Sequence, residues 1–110
     1  MKIKTSELTG IALDWMVAKI DFIPLEEHLA ITKWFRPSTD WSQGGPIIER
    51  EGIMIAQSGY GWIAALDASD DKEVDGDGLT PLIAAMRCYV ATELGEEVEI
   101  PEEIACLLTK

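Results

Sequence analysis

Apolar residues recur at steps of three and four from Ser6 to about Ile20, which predicts an α-helix. Leu8, Ile11, Ala12, Trp15 and Ala18 make one face, and Leu13, Met16, Val17 and Ile20 widen it until little is left for solvent. Thr5 or Ser6 stands where a hydroxyl oxygen would cap the helix start. Gly10 lies inside the pattern at a cost of about 1 kcal/mol against alanine, which suggests a close neighbour there. Ahead of it, Lys2 to Lys4 has the length only of an edge strand. A second helix is predicted from Pro81 to Leu94, opened by Thr80-Pro81 and closed by Gly95. Leu82, Met86, Tyr89 and Val90 give it a core face, joined by Ile83 and Leu94.

Between these helices the period changes. Ile53–Gln57 and Trp62–Leu66 read as two strands, with Ser58-Gly59-Tyr60-Gly61 as a four-residue hairpin loop. Just before them, Pro46 suits the first position of a helix and Gly52 the residue past its end. A short helix from Pro46 to Glu51 is therefore expected, with a strand as its rival. Asp67 to Gly78 reads as an acidic loop. Asp21 to Asp40 is the least readable stretch. Pro24–Leu29 suits a turn or two of helix, Ile31–Phe35 a strand, and Arg36–Asp40 a loop. After Gly95, Val98 and Ile100 are apolar, and a short helix is expected from Pro101. The fold class is α+β: two main helices packed on a small antiparallel sheet, in one globular domain spanning residues 1–110.

Composition narrows the function. Of 110 residues, 47% are apolar, enough for one core without staples. Nine basic residues against twenty acidic ones give a net charge of −11, which opposes direct contact with nucleic acid or an anionic membrane. No apolar run approaches the roughly 20 residues of a membrane span, and no targeting segment is expected. Cys88 and Cys106 lack metal-ligand spacing and read as reduced core thiols of a cytosolic protein.

Three segments, KTSELTGIALDWMVAK, STDWSQGGPIIEREGI and TPLIAAMRCYVATELGEEVEIP, stand in this order along the chain. Together they resemble the NinX-like family of small phage proteins, encoded in accessory regions of tailed-phage genomes and enterobacterial prophages. The resemblance implies a phage origin and expression in the host bacterial cytoplasm. It assigns no catalytic residue.

Gly44 and Gly45 sit side by side before Pro46. If a helix starts at Pro46, their backbone N–H groups lie at its positive end, where a phosphate or carboxylate is attracted. Trp41 then offers a ring to stack on, and Ser38, Thr39, Ser42 and Gln43 add hydrogen-bonding groups. The plainer reading is a tight turn with Trp41 as its lid, since the lysine of a phosphate-binding loop is missing. Arg87, a cation among small apolar residues, is placed either to pair a carboxylate such as Asp14 or Asp40 or to meet an anionic ligand. Asp71, Glu73, Asp75 and Gly76 fit four positions of a calcium loop, but Leu79 and Leu82 stand at its ninth and twelfth positions. A solvated connection is expected there instead. His28, the single histidine, has no nucleophile placed beside it.

No catalytic set assembles, so a non-enzymatic binder is expected, with no cofactor and no metal. Its ligand-binding residues would be Asp40, Trp41, Gly44, Gly45 and Arg87, and its ligand small and anionic or nucleotide-like. The alternative is an acidic protein that binds and inhibits a host protein, including by mimicry of DNA charge. A pocket at Trp41 favours the first and carboxylates gathered on one face favour the second. Homo-oligomer formation is left open.

Overall fold

The computed structural model describes residues 2–21, 34–68, 72–102 and 104–105. Strand β1 (Lys2–Lys4) runs into a 3-10 turn at Thr5–Glu7 and then helix α1 (Gly10–Ile20). Helix α2 (Trp41–Glu51) precedes three strands, β2 (Met54–Ser58), β3 (Gly61–Ala68) and β4 (Lys72–Gly78). Helix α3 (Pro81–Leu94) and strand β5 (Glu97–Glu99) follow. The class is α+β, with two antiparallel sheets: β1 with β5, and β2-β3-β4 in that order.

Helix α3 is the central element, packed on β3 and β4 and carrying α1 and α2 as well. Apolar residues surround it because it has neighbours on more than one side. Leu82, Ala84, Ala85, Met86, Cys88, Tyr89 and Val90 are all buried, whereas Leu94, expected on the core face, is exposed. Thr80 Oγ1 caps it by accepting from Ile83 N at 3.2 Å, and the Gly95 N–H returns to the Ala91 carbonyl. Helix α1 is buried at every position from Ala12 to Ala18, and Trp15, Met86 and Tyr89 share one core. Its start corrects the expectation at Thr5 or Ser6. The chain first makes the 3-10 turn, and Thr9 is the N-cap without a side-chain bond. Gly10 serves a φ of +51° there, and a Cβ on it would meet nothing within 4 Å.

The acidic stretch after Asp67 is the main correction in the sheet. Most of it is not a loop but strand β4, paired with β3 from Ala68↔Lys72 to Trp62↔Gly78. Asp75 and Asp77 face solvent while Val74, Gly76 and Gly78 face inward, the period of two of a half-covered strand. The inward glycines let α3 approach almost backbone to backbone. A Cβ on Gly76 would lie 2.5 Å from the Ala84 carbonyl oxygen and 2.6 Å from Cys88 N. A 12-residue calcium loop has no room in a paired strand. The hairpin between β2 and β3 is tighter than expected, a two-residue turn at Gly59-Tyr60 with Gly59 at φ +55°.

The pairing Lys2↔Glu99, Ile3↔Val98, Lys4↔Glu97 joins the two ends of the described chain, and Thr5 extends it by donating Oγ1–H to the Gly95 carbonyl at 2.6 Å. Near Pro101, whose carbonyl accepts from Ile104 N and Ala105 N, a helical turn begins as expected. The expected turn at Pro24–Leu29, His28 and Cys106 lie outside the described residues. Of the expected strand at Ile31–Phe35 only Trp34 and Phe35 are described, and Trp34 has helical backbone.

Candidate functional site

Helix α2 begins at Trp41, five residues before the expected start at Pro46. Asp40 is its N-cap, accepting at Oδ1 from Ser42 N at 2.9 Å and from Ser42 Oγ at 2.7 Å. These bonds hold the Asp40 carboxyl below the usual carboxylate range. The positive end of the helix is thus occupied by the protein's own anion. Gln43 donates from Nε2 to the Trp34 carbonyl and to Asp40 Oδ2, and its Oε1 accepts from Arg36 N. The incoming turn is further pinned by Ser38 N, which donates to the buried Asp14 at 2.8 Å. Burial pushes the Asp14 carboxyl up to about 6, against the lowering effects of its Ser38 contacts and the Arg36 charge.

Gly44 and Gly45 therefore lie in the second turn of a helix, and they differ. A Cβ on Gly44 would sit 2.3 Å from the Pro37 carbonyl oxygen and 2.6 Å from Leu82 Cδ2. Gly45 would meet only Trp41 Cε3, at 3.9 Å. The paired glycines answer a packing demand at one position, where α2 crosses Pro37 and α3. Trp41 itself is 53% exposed at the first helical position, outside the core.

Arg87 is elsewhere. Its Nε donates to the Leu8 carbonyl and its NH1 to the Asp77 carbonyl, both at 2.8 Å. Neither Asp14 nor Asp40 is its partner; the guanidinium ties the segment after β1 to the edge of β4. Burial lowers its pKa, opposed by the charge of Asp77. Arg87 lines a groove of about 750 Å³ bounded by the three-stranded sheet, α3, residues 4–6 and the Glu96-Glu97 pair. Met54 and Ile63, 56% and 41% exposed, give the groove an apolar patch. Asp75, Asp77, Glu96 and Glu97 stand around it, all exposed, with Lys4 as the second cation. A smaller cavity of about 350 Å³ shares Ile63, Asp77 and Arg87 and reaches Tyr60 and Leu79. Both of these are strongly exposed. Of the five expected ligand-binding residues, Arg87 lines these cavities, and Asp40, Trp41, Gly44 and Gly45 line neither.

A family model described as Bacteriophage P22, NinX matches residues 20–93. The chain belongs to the NinX family. The match runs from the end of α1 through α2, the three-stranded sheet and nearly all of α3, so it includes most of the groove's sheet side. The first of the three resembling segments lies before the matched span, and the third continues past it. No curated protein matches this NinX-family chain. Among its described residues no helix is long and apolar enough to cross a membrane.

The groove of this NinX-family protein draws on separated parts of the chain: residues 4–6, Met54, β3, β4, α3 and the Glu96-Glu97 pair. Sequence reasoning singled out Arg87 but missed the carboxylates of β4 as part of a site, because they were assigned to a loop. Their alternation with Val74, Gly76 and Gly78 was the available signal.

Proposed function

We propose that this phage protein works in the host bacterial cytoplasm as a non-enzymatic binder, and that its groove receives a basic, partly apolar segment of a host protein. The observation that carries this reading is that Asp75, Asp77, Glu96 and Glu97 line the same groove as exposed Met54 and Ile63. Lys4 and Arg87 offset part of that charge and leave the carboxylates in excess, and two of the Arg87 donors are already given to carbonyls. Apolar floor with an acidic rim suits a cationic peptide, attracted by charge and retained by burial. The small-anion reading has weaker support, because Asp40 already caps α2 and four carboxylates would repel an anion from the groove. Inhibition of a DNA-binding host protein through charge mimicry is one consequence the acidic rim would allow.

The test uses tagged protein expressed in host cells with quantitative cross-linking, beside the variant Asp75→Asn/Asp77→Asn/Glu96→Gln/Glu97→Gln. The wild type should enrich a basic host protein that the variant loses, and about 1 M salt, where the screening length is about 3 Å, should weaken the enrichment. Equal recovery by both proteins overturns the reading. So does release of a small anion, detected by mass spectrometry, from wild type and variant alike.

A further inference from the structure

We propose, resting on the acidic-groove reading, that the bound segment is extended and joins the sheet as an added strand on the outer edge of β4, which no other described strand pairs. The Gly59-Tyr60 turn decides which backbone groups of the sheet face outward. A two-residue turn makes its flanking pair, Ser58 and Gly61, a hydrogen-bonded pair. By the alternation of an antiparallel ladder, Gly61, Ile63 and Ala65 then turn their backbone groups to β2, and Trp62, Ala64 and Leu66 turn theirs to β4. Their partners on β4 are Gly78, Gly76 and Val74, which leaves Asp77 and Asp75 with N–H and C=O directed away from β3. The bond from Arg87 NH1 to the Asp77 carbonyl agrees independently, since that oxygen is reached from outside the sheet; it leaves a second lone pair of that oxygen, the Asp77 N–H and both backbone groups of Asp75 for an added strand. Among the described residues β4 is paired with β3 alone, and Asp75, Gly76 and Asp77 all line the groove.

An edge that needs only protection from aggregation is served by its charges. This one also has about 750 Å³ of open space beside it, within the range of ligand sites, and a far bank at Lys4–Ser6. A strand laid there at the usual spacing of about 4.8 Å would alternate its side chains between two environments. One set would lie beside the Asp75 and Asp77 side chains, where opposite charge is favoured across a strand pair. The other would lie over α3 near Arg87 and Ala91, where a second cation is disfavoured and a small apolar side chain fits. The segment selected is therefore one that alternates Lys or Arg with small apolar residues. A second copy of β4 is disfavoured, since its own Asp75 and Asp77 would face these carboxylates.

The probe is a synthetic heptapeptide alternating lysine and valine, with two isomers of equal charge, one N-methylated at the lysine amides and one at the valine amides. An added strand turns alternate N–H groups toward β4, so one isomer should lose affinity by about tenfold or more while the other stays within about twofold. In that complex the backbone amides of Asp75 and Asp77, followed by NMR, should gain protection from exchange. Isomers that bind equally well, or that both fail, overturn strand addition. A helix-forming peptide of the same charge that binds as tightly as the heptapeptide does the same, and leaves the acidic-groove reading standing. No binding by the unmodified peptide at low salt overturns both.

Discussion

Gly44 and Gly45 are chemically identical and do opposite work. Alanine at 44 would drive a methyl into the Pro37 carbonyl, which is backbone and cannot swing aside, and into Leu82. Gly44→Ala should therefore lose about 1–3 kcal/mol or more by overpacking. Gly45→Ala places its methyl in ordinary contact with Trp41 and gains helix propensity, so it should stabilise by up to about 1 kcal/mol. Urea unfolding of the two variants beside wild type checks both signs. Equal effects would mean that α2 does not cross Pro37 as described. Trp41, half in solvent, and Trp15, 6% exposed, are divided in the same way between surface and core.

Helix α2 is a poor helix by composition, since it contains Gly44, Gly45 and Pro46. Pro46 has no N–H for the Ser42 carbonyl, and each glycine costs about 1 kcal/mol. The element exists because of the Asp40 cap, the buried Ile47 and the Gly52 stop at φ +70°. Strand β4 makes the complementary case, where glycine is required by a neighbouring helix. Gly76→Ala should push α3 off β4 by steric contact with Ala84 and Cys88 backbone, with a loss of several kcal/mol and a clear fall in melting temperature. Thermal unfolding followed by circular dichroism reads this, and an unchanged midpoint would refute so close an approach. These two elements show where the sequence was legible. Helix α3 and the β2–β3 hairpin were, because Thr80, Pro81, Gly95 and the alternating apolar runs act locally. The start of α2 was not, and β4 showed only in the alternation of its acids with Val74, Gly76 and Gly78, since glycines that obey tertiary contacts read locally as loop residues. The candidate groove was illegible for the same reason: Arg87 stood out, but its partners are carbonyls of Leu8 and Asp77, which every residue possesses.

At the scale of the molecule, helices are fastened together by polar contacts as well as by the core. Asp21, just past α1, accepts from Tyr89 Oη at 2.6 Å and from Arg50 NH2 at 3.0 Å, which joins α1, α2 and α3 at one point. The buried Asp14 acts on stability in the opposite sense. Its folded pKa of about 6 lies above the ordinary 3.8, so the unfolded chain gives up this proton first as pH rises. Its contribution is complete below about pH 4, declines between about pH 4 and 6, and is absent above, a difference of about 2–3 kcal/mol. Asp14→Asn keeps an oxygen for Ser38 N and removes the charge. Melting temperatures from pH 4 to 7 should fall less for the variant than for wild type, and parallel curves would contradict the assignment. The ladder between β1 and β5 bears on time rather than on strength. Thr5 and Gly95 are 90 residues apart, and closing a loop of that length costs roughly 4 kcal/mol of chain entropy. Three residue pairs repay little of this unless the core between them has already formed. On the ribosome, β1 emerges before everything it depends on and must wait, unpaired, through the synthesis of α3 for its partner. Of the described strands, β1 is made before the others and can pair only once β5 has been made.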